Sequence, residues 1–292
     1  MDHFFLIILE QSLLYFPLVA GAYISFSLMK LPDLSIESAY LFGSLFAGMA
    51  LPMLQGYSSP LVLLIVVVIS SAGGMIVGLT SGCITHFGKI PHLLSSIITF
   101  GLYHGLFHLI SKPYTSLALY KNSLTVIPCF ETYPELCTIG LLSSFIALGL
   151  TFLFSTQLGH TFSIFGNNPL FLKHFRISTT YVFMTGILLA NGLAGLAGYF
   201  FAQTNNLVEM NMGVGKSLFC ITALILGKAC IKKPVSILIP LCGTFSYFFL
   251  QQFLVRIGFN LNYFTAIQAL AVLMLLLFLY KKSDKKIDHL GV

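Results

Sequence analysis

Charged side chains are scarce in this sequence of 292 residues, where Asp, Glu, Lys and Arg together make up 8%. Soluble domains carry roughly a quarter. Hydrophobic residues make up 57%, and the mean hydropathy is +0.92. This composition excludes an ordinary soluble domain and predicts a multi-pass membrane protein.

Signatures of catalysis are also missing. The sequence offers no Ser-His-Asp or Cys-His constellation and no C-x-x-C pair. The segment Gly213-Val-Gly-Lys-Ser217 looks like the end of a phosphate-binding loop, but Met210 occupies the position of the first glycine and no strand precedes it. We therefore expect no enzyme activity, no nucleotide site and no cofactor in this chain.

Nine apolar runs are long enough to cross a ~30 Å hydrocarbon core as helices. The runs are continuous rather than alternating, which predicts helices and not barrel strands. We predict an all-α polytopic bundle of about 8–10 spans, a single membrane domain over residues 1–292, with the first run retained and not cleaved as a signal peptide. The runs cover residues 5–28, 38–56, 60–84, 91–111, 138–157, 179–203, 213–231, 235–256 and 262–280.

The net charge of +6 follows the positive-inside pattern and does not indicate a nucleic-acid partner. If the basic tail 281–286 is cytoplasmic, alternation of the spans puts most other Lys and Arg residues on the same side. That side then includes the polar segment 158–178, whereas Lys112, Lys121, Lys216 and Arg256 are exceptions. The cytoplasmic group comprises Lys89, Lys173, Arg176, Lys228, Lys232 and Lys233.

Two of the six cysteines lie in the predicted outer loop 112–137. Cys129 and Cys137 could close a disulfide in an oxidising compartment, or remain free. The other four are predicted packing residues in or beside spans, namely Cys83, Cys220, Cys230 and Cys242.

Small residues recur at helical spacing in two runs. Such ladders allow helix backbones to approach closely in lipid, so we interpret them as packing surfaces. One ladder is Gly186, Ala190, Ala194, Gly198 and Ala202, and the other is Ser70, Gly74, Gly78 and Gly82.

The segment 29–38 has two interpretations. Lys30, Asp33 and Glu37 fall close together around a proline, and Ser35 or Asp33 could cap the next helix. One interpretation is a cytoplasmic turn. The other is a helix broken at membrane depth, where unwound backbone and helix ends line a translocation path.

Two histidines are the only sequence support for an ATPase-independent metal or ion carrier. His104 and His108 are four residues apart on one predicted helix, so both imidazoles share a face. No Cys, Asp or Glu in the run completes a ligand set. We therefore predict no metal site and keep the carrier as the alternative function.

Four motifs follow one another within residues 12–280. They are Leu31-Pro-Asp-Leu-Ser-Ile-Glu37 with Gly43 and with Ser38 at a usual glycine; Lys89-Ile-Pro-His-Leu-Leu94; Gly166-Asn-Asn-Pro169 through Ile177, with Phe175-Arg176 where Leu-Gly is frequent; and Asn191-Gly-Leu-Ala-Gly-Leu-Ala-Gly198 with Asn211-Met-Gly-Val-Gly215. In this order they resemble the permease family of type II binding-protein-dependent ABC importers, which includes branched-chain amino-acid and ribose permeases. The closest likeness is to a branch associated with aromatic amino-acid uptake.

The resemblance implies a permease subunit that moves a small polar solute, an amino acid and among these aromatic ones, by alternating access in a bacterial inner membrane. It implies a second permease copy, as a homodimer or a pair, and an extracytoplasmic solute-binding protein. It also implies two cytoplasmic ATPase subunits, which would hold ATP and Mg. Lipid surrounds the spans of any such protein.

The resemblance assigns the segment 158–178 to docking on the ATPase. Asn167-Asn168-Pro169 predicts the start of a short helix after a turn, and the alternative is an ordinary inside loop whose charges only fix topology. The residues expected to couple to the ATPase are Gly166, Asn167, Asn168, Pro169, Lys173 and Arg176.

Polar side chains within apolar spans are costly, so they usually face the bundle interior or a cavity. Asn191 is the deepest by position, and an interhelical hydrogen bond is at least as good an interpretation as contact with solute. Gln203 and Asn211 are expected near the outer mouth. The predicted path residues are Asp33, Ser35, Glu37, Asn191, Gln203 and Asn211.

Overall fold

The computed structural model describes residues 2–54, 56–111, 116–119, 123–127, 133, 135–231, 235–259, 263, 266, 268–270 and 272–273. These residues form α-helices, one π-helical turn and two short strands. The helices are α1 Asp2–Ala22, α2 Ser35–Met53, α3 Ser59–Gly88, α4 His92–Ser111, α5 Leu136–Ser155, α6 Gln157–Asn167, α7 Pro169–His174, α8 Thr179–Asn205, α9 Lys216–Cys230 and α10 Leu238–Arg256; the π-helical turn is Tyr23–Leu28, and the strands are β1 Ser116–Ala118 and β2 Leu207–Glu209.

Seven helical stretches in the described part of the chain are long and apolar enough to cross a membrane. They coincide with seven of the nine predicted runs, so the predicted all-α multi-pass architecture is confirmed. The stretches are His3–Leu28, Ser35–Met53, Ser59–Gly88, His92–Ser111, Leu136–Ser155, Thr179–Asn205 and Leu238–Arg256.

Two predicted runs differ from these seven. Run 213–231 is helical only over the 15 residues of α9, about 22 Å at the usual rise, which is shorter than the ~30 Å of a hydrocarbon core. Run 262–280 and the basic tail 281–286 lie largely outside the described residues.

Helix α8 lies at the centre of the bundle and packs against α1, α2 and α3. The backbones approach so closely that a Cβ at Gly74 of α3 would overlap the carbonyl of Asn191, and one at Gly198 would overlap the carbonyl of Tyr40 in α2. Both glycines belong to the predicted ladders. The ladders are therefore confirmed as packing surfaces. In lipid there is little hydrophobic driving force between helices, and small residues allow them to associate tightly through close backbone contact.

A connector in which exposed and buried residues alternate joins α1 to α2, with Lys30 and Pro32 exposed. Helix α1 ends in the π-helical turn, after which residues 29–34 are non-helical, and Met29 and Asp33 are buried. Ser35, which begins α2, lies beside Asn191, about 18 Å along α8 from its first residue at 1.5 Å per residue. This geometry favours a helix break at depth over a turn at the bundle surface.

Helix α9 also begins at depth. The backbone of Gly213, which follows β2, lies directly against the carbonyl of Glu37 in the first turn of α2. From there α2 runs toward the strands, where Gly48 lies beside Leu117 of β1. Helix α9 runs the opposite way, because Ser236 beyond its end donates to the Tyr23 hydroxyl near the end of α1. Two helices thus start in the middle of the bundle and leave in opposite directions.

The two strands pair antiparallel at one end of the bundle, with Ser116 opposite Glu209 and Ala118 opposite Leu207. We call this the sheet end, and the opposite end, which carries α7, the α7 end. Cys137 is disulfide-bonded, and Cys129, the candidate partner from the sequence, lies outside the described residues. Cys83, Cys220, Cys230 and Cys242 are free thiols.

Candidate functional site

Three of the predicted path residues form one hydrogen-bonded cluster in the middle of the bundle. Asp33 Oδ1 accepts from the backbone N–H of Ser35 at 2.9 Å, and Asp33 Oδ2 accepts from Asn191 Nδ2 at 3.1 Å. The Ser35 hydroxyl lies within hydrogen-bond distance of both Asp33 and Asn191. All three side chains are completely buried. The hydrogen bonds of this cluster stabilise the buried carboxylate of Asp33. Transfer of a carboxylate from water into the protein interior is very costly without such bonds.

His92, at the start of α4, completes this cluster. Its Nε2 lies 3.5 Å from Asp33 Oδ1, and its Nδ1 lies 3.1 Å from the Thr85 hydroxyl of α3. The first distance permits a charge interaction when the imidazole is protonated, without hydrogen-bond geometry. Asp33 is thus in contact with side chains from α2, α4 and α8, and the connector holds these helices together.

A second buried carboxylate lies one turn further along α2. Glu37 Oε1 accepts hydrogen bonds from the backbone N–H of Ser217, at 3.1 Å, and from the Ser217 hydroxyl. Ser217 is in the first turn of α9, and Asp33 is bonded in the same way to the first N–H of α2. Backbone N–H groups of first turns are unsatisfied within their own helix and carry partial positive charge, so each start stabilises one carboxylate.

The two remaining predicted path residues lie apart from this cluster. Gln203 is fully buried near the sheet end, where its Oε1 accepts from both the backbone N–H and the hydroxyl of Ser123, each at 2.7 Å. It therefore holds the described part of the loop after β1 onto α8. Asn211 is exposed in the turn that leads into α9. The structure thus brings together Asp33, Ser35 and Asn191, places Glu37 beside them, and separates Gln203 and Asn211.

The predicted coupling segment forms an elbow of two helices. Asn168 lies between α6 and α7, and its Oδ1 accepts from the backbone N–H of Leu170 at 3.1 Å and more weakly from that of Phe171. Pro169 follows at the first helical position, where its missing N–H costs nothing. A short helix therefore begins where Asn-Asn-Pro predicts one.

Two contacts join this elbow to the connector between α1 and α2. Gly166 lies so close to Leu28 that a Cβ there would overlap the Leu28 carbonyl, and Lys30 Nζ donates to Asn167 Oδ1 at 2.6 Å. Lys30 is three residues from Asp33. The elbow therefore lies one short segment of chain away from the central cluster.

The rest of the coupling segment points out of the bundle. Leu172 is buried and anchors α7, whereas Lys173 and Arg176 are exposed. Arg176 has φ +57°, in the left-handed region that favours glycine, so the turn after α7 forms even though Phe175-Arg176 stands where Leu-Gly is frequent. Phe175 is 64% exposed.

His104 and His108, the two candidate metal ligands, have no further metal-binding side chain beside them among the described residues. His104 stacks on Phe100 with ring centroids 5.6 Å apart, and His108 is exposed. Across the described ranges no three His, Cys, Asp or Glu side chains gather in a way that could hold a metal ion.

Sequence reasoning missed three contributors to the site. The sequence pattern indicates Lys30 only by its charge, His92 only as part of the motif Lys89–Leu94, and Ser217 only near the start of an apolar run. A serine or lysine that opens an apolar run was the available signal for a helix starting at depth, because such groups are costly there unless they are bonded.

Comparisons with known proteins agree with this architecture. The family model described as branched-chain amino acid transport system, permease component, matches residues 4–279. An uncharacterised protein of Rickettsia prowazekii is 28% identical over 96% of this chain and 97% of its own length. No solved structure matches the chain.

Two relatives have names that state a transported compound. A tyrosine transport system permease protein of Clostridioides difficile is 27% identical over 91% of this chain and 89% of its own length. An autoinducer 2 import system permease protein of Salmonella typhimurium is 26% identical over 59% of this chain and 48% of its own. The chain therefore belongs to the branched-chain amino acid transport permease family and is a non-enzymatic permease of the type II ABC importers, a multi-pass protein of the bacterial inner membrane.

Proposed function

We propose that this permease imports an amino acid, with aromatic amino acids favoured, by alternating access driven by ATP hydrolysis in separate cytoplasmic subunits. The family description and the name of the Clostridioides difficile relative support this class of solute. ATP and Mg would bind to the partner ATPase, and this chain would contribute no cofactor. A solute-binding protein would deliver the amino acid at the sheet end.

The observation that carries the proposal is the contact between the elbow and the connector. Gly166 packs on Leu28, and Lys30 bonds to Asn167. A displacement of α7 by the ATPase would move residues 29–34 with it, and these residues lead directly to the start of α2. Packed elements move as rigid bodies between discrete arrangements, so a short helix can transmit closure to the spans.

The surface of α7 suits a docking role. Leu170 is 64% exposed, and Phe171 is 45% exposed on a helix of only six residues. We propose that these apolar side chains enter a groove of the ATPase, while Lys173 and Arg176 face acidic positions beside it. The same residues would contact water if this segment served only to fix topology.

The central cluster is the proposed translocation path. Broken helices whose starts meet near the middle of a membrane are a recurrent device for solute sites in transporters. Asp33, Ser35, Glu37 and Asn191 lie at the starts of α2 and α9 or beside them. We propose that movement of these two starts opens and closes the path, with Gln203 and Asn211 near its outer mouth.

Further surfaces are proposed to contact lipid and a second copy. The exposed side of α5 presents an apolar stripe at helical spacing, which suits lipid acyl chains. The stripe consists of Leu141, Phe145, Leu148 and Phe152. We propose that two copies of this chain form a homodimer, which would present one α7 to each of two ATPase subunits.

A purification followed by reconstitution tests the proposal. Mild-detergent purification of the tagged chain should bring down a nucleotide-hydrolysing subunit, and the complex in proteoliposomes should take up labelled tyrosine or tryptophan only with ATP. Branched-chain amino acids and ribose serve as competing solutes. Uptake without any ATPase that is lost in the His104→Ala, His108→Ala double variant would replace this proposal with the metal or ion carrier.

A further inference from the structure

Lys216 is held in a cage of aromatic rings. Its Nζ donates to the Tyr15 hydroxyl at 3.0 Å and lies 4.6 Å from the centroid of the Tyr15 ring. The rings of Phe201 and Tyr40 are 5.2 and 5.5 Å from the same nitrogen. An ammonium has three N–H donors, and Tyr15 uses one of them. Ring faces attract the cation without neutralising it.

No carboxylate of the described residues lies within 4.0 Å of this ammonium. Glu37 is the nearest candidate by position, but it forms no ion pair with Lys216, and its Oε1 accepts hydrogen bonds from Ser217. A cation inside an apolar bundle is costly unless it faces a cavity or a partner. The charge of Lys216 is therefore available to an anionic ligand that enters the bundle.

Lys216 lines a cavity of about 190 Å³ between α1, α9 and α10. A cavity of about 150 Å³ is large enough to hold a benzene ring. Val214 at the rim is 55% exposed, so the cavity opens at the surface of the bundle. Its walls combine Lys216 with the rings of Tyr15, Phe219, Tyr247 and Phe248 and with the amides of Gln251 and Gln268.

The amide of Gln251 adds a second polar recognition group. Its Oε1 is shielded from solvent and accepts no hydrogen bond from the described residues, and rotation of the side-chain amide would turn this oxygen toward the cavity. A buried amide oxygen without a donor is unfavourable. These groups match the three parts of an aromatic α-amino acid. The ammonium of Lys216 suits the carboxylate, the ring walls suit the aromatic side chain, and Gln251 Oε1 suits the α-ammonium.

We propose that this cavity is the solute subsite of the permease, in which Lys216 binds the carboxylate, Gln251 Oε1 accepts from the α-ammonium, and the rings hold the aromatic side chain. The subsite deepens the proposed import of an amino acid and rests on it. Lys216 lies next to Ser217, which bonds Glu37 at the start of α2. Occupation of the cavity would thus be communicated to the place where the two helix starts meet.

The test is binding of three probes to the full-length chain in lipid nanodiscs. The probes are L-tyrosine, tyramine, which lacks the carboxylate, and 3-(4-hydroxyphenyl)propionate, which lacks the amine. Wild type should bind tyrosine at least about tenfold more tightly than tyramine, because charge-assisted hydrogen bonds are the strong ones. The propionate should fall between them.

The variants assign these preferences to residues. Lys216→Met should weaken tyrosine binding about tenfold and leave tyramine binding unchanged, while Lys216→Arg should retain most of it. Gln251→Leu should remove the preference for tyrosine over the propionate. Lys228→Met is the matched control, since Lys228 is an exposed lysine on the same helix and lies outside the cavity wall.

Equal binding of tyrosine by wild type and folded Lys216→Met would overturn the subsite, as would equal binding of tyrosine and tyramine, or no binding of any probe. If the variants do not fold, the comparison of tyrosine with tyramine on wild type decides by itself. The importer function has its own readout, ATP-dependent uptake with a co-purified ATPase. Persistent uptake together with failed probe binding would refute the subsite alone.

Discussion

Asn191 Nδ2 donates to Asp33 Oδ2 at 3.1 Å, which joins the middle of α8 to the connector between α1 and α2. Both side chains are completely buried. The same amide nitrogen also donates to the Ile187 carbonyl at 3.0 Å. Asn191 therefore serves as an interhelical hydrogen-bonding residue, and any solute that contacts it must do so in competition with Asp33.

Asn191→Leu should destabilise the bundle. The substitution leaves a buried carboxylate oxygen of Asp33 without its donor, which costs about 1–3 kcal/mol. The measurement is the temperature at which monodisperse protein disappears on size-exclusion chromatography, a suitable readout because the sequence contains no Trp for intrinsic fluorescence.

Asn205→Leu is the control for this substitution. Asn205 lies at the exposed end of the same helix, and its amide bonds only to the Phe201 carbonyl in the described contacts. It should melt like wild type. If Asn191→Leu also melts like wild type but abolishes uptake, Asn191 acts on the solute and not on the fold.

Part of this architecture is predictable from the sequence pattern alone. Seven spans, the small-residue ladders and a short helix at Asn168-Pro169 follow from hydropathy, spacing and capping. The polarity of Asp33 and Asn191 within apolar surroundings marked them as special. Their pairing was not predictable, because it depends on the depth at which α2 begins, which is set by packing on α8.

The short helix α9 and the Lys216 cage illustrate the same limit. Apolar composition continues through residues 213–231, so hydropathy predicts a full span, although the first residues descend into the bundle as a turn. Nothing in the spacing of Tyr15, Tyr40 and Phe201 indicates that three helices bring these rings around one lysine.

Lys30→Met should weaken coupling between ATP hydrolysis and uptake. The substitution removes the hydrogen bond to Asn167 but keeps an unbranched side chain of similar length. Loss of about 1 kcal/mol of contact between elbow and connector corresponds to roughly fivefold in the rate of a step that depends on it. The measurement is uptake per ATP hydrolysed in proteoliposomes.

Lys89→Met is the matched control for Lys30. Both lysines are exposed and both have positive φ, but no side-chain hydrogen bond of Lys89 is found among the described residues. Equal uptake per ATP in the two variants would show that the Lys30–Asn167 bond does not transmit movement.

Arg176→Gly should stabilise the turn after α7. A residue other than glycine in the left-handed region costs about 1–2 kcal/mol, partly offset by the greater freedom of glycine in the unfolded chain, so a net gain of about 0.5–1 kcal/mol is expected. Limited proteolysis of the segment 165–178 measures it.

Arg176→Ala separates charge from conformation. It removes the guanidinium but retains the strained φ, so it should not protect the turn from protease. If Arg176 faces acidic positions on the ATPase, both variants should bring down less ATPase in the detergent purification. Unchanged ATPase recovery with both would remove Arg176 from the proposed interface.

Gly166→Ala should separate the elbow from the connector. The added Cβ would overlap the Leu28 carbonyl. The backbone must shift, because the nearest atoms belong to the main chain of Leu28 and Met29 and not to a flexible side chain. Such overpacking typically costs about 1–3 kcal/mol, against a gain of about 0.5–1 kcal/mol from replacing glycine in a helix. The melting temperature and uptake per ATP should both fall.

Gly149→Ala provides the comparison, since Gly149 is also helical and a Cβ there meets nothing within 4 Å. It should melt at or above the wild-type temperature, because only the gain in helix stability remains. If Gly166→Ala behaves in the same way, the elbow has room to move away from Leu28 without loss, and the close approach at Gly166 cannot be what carries movement from α7 to the connector.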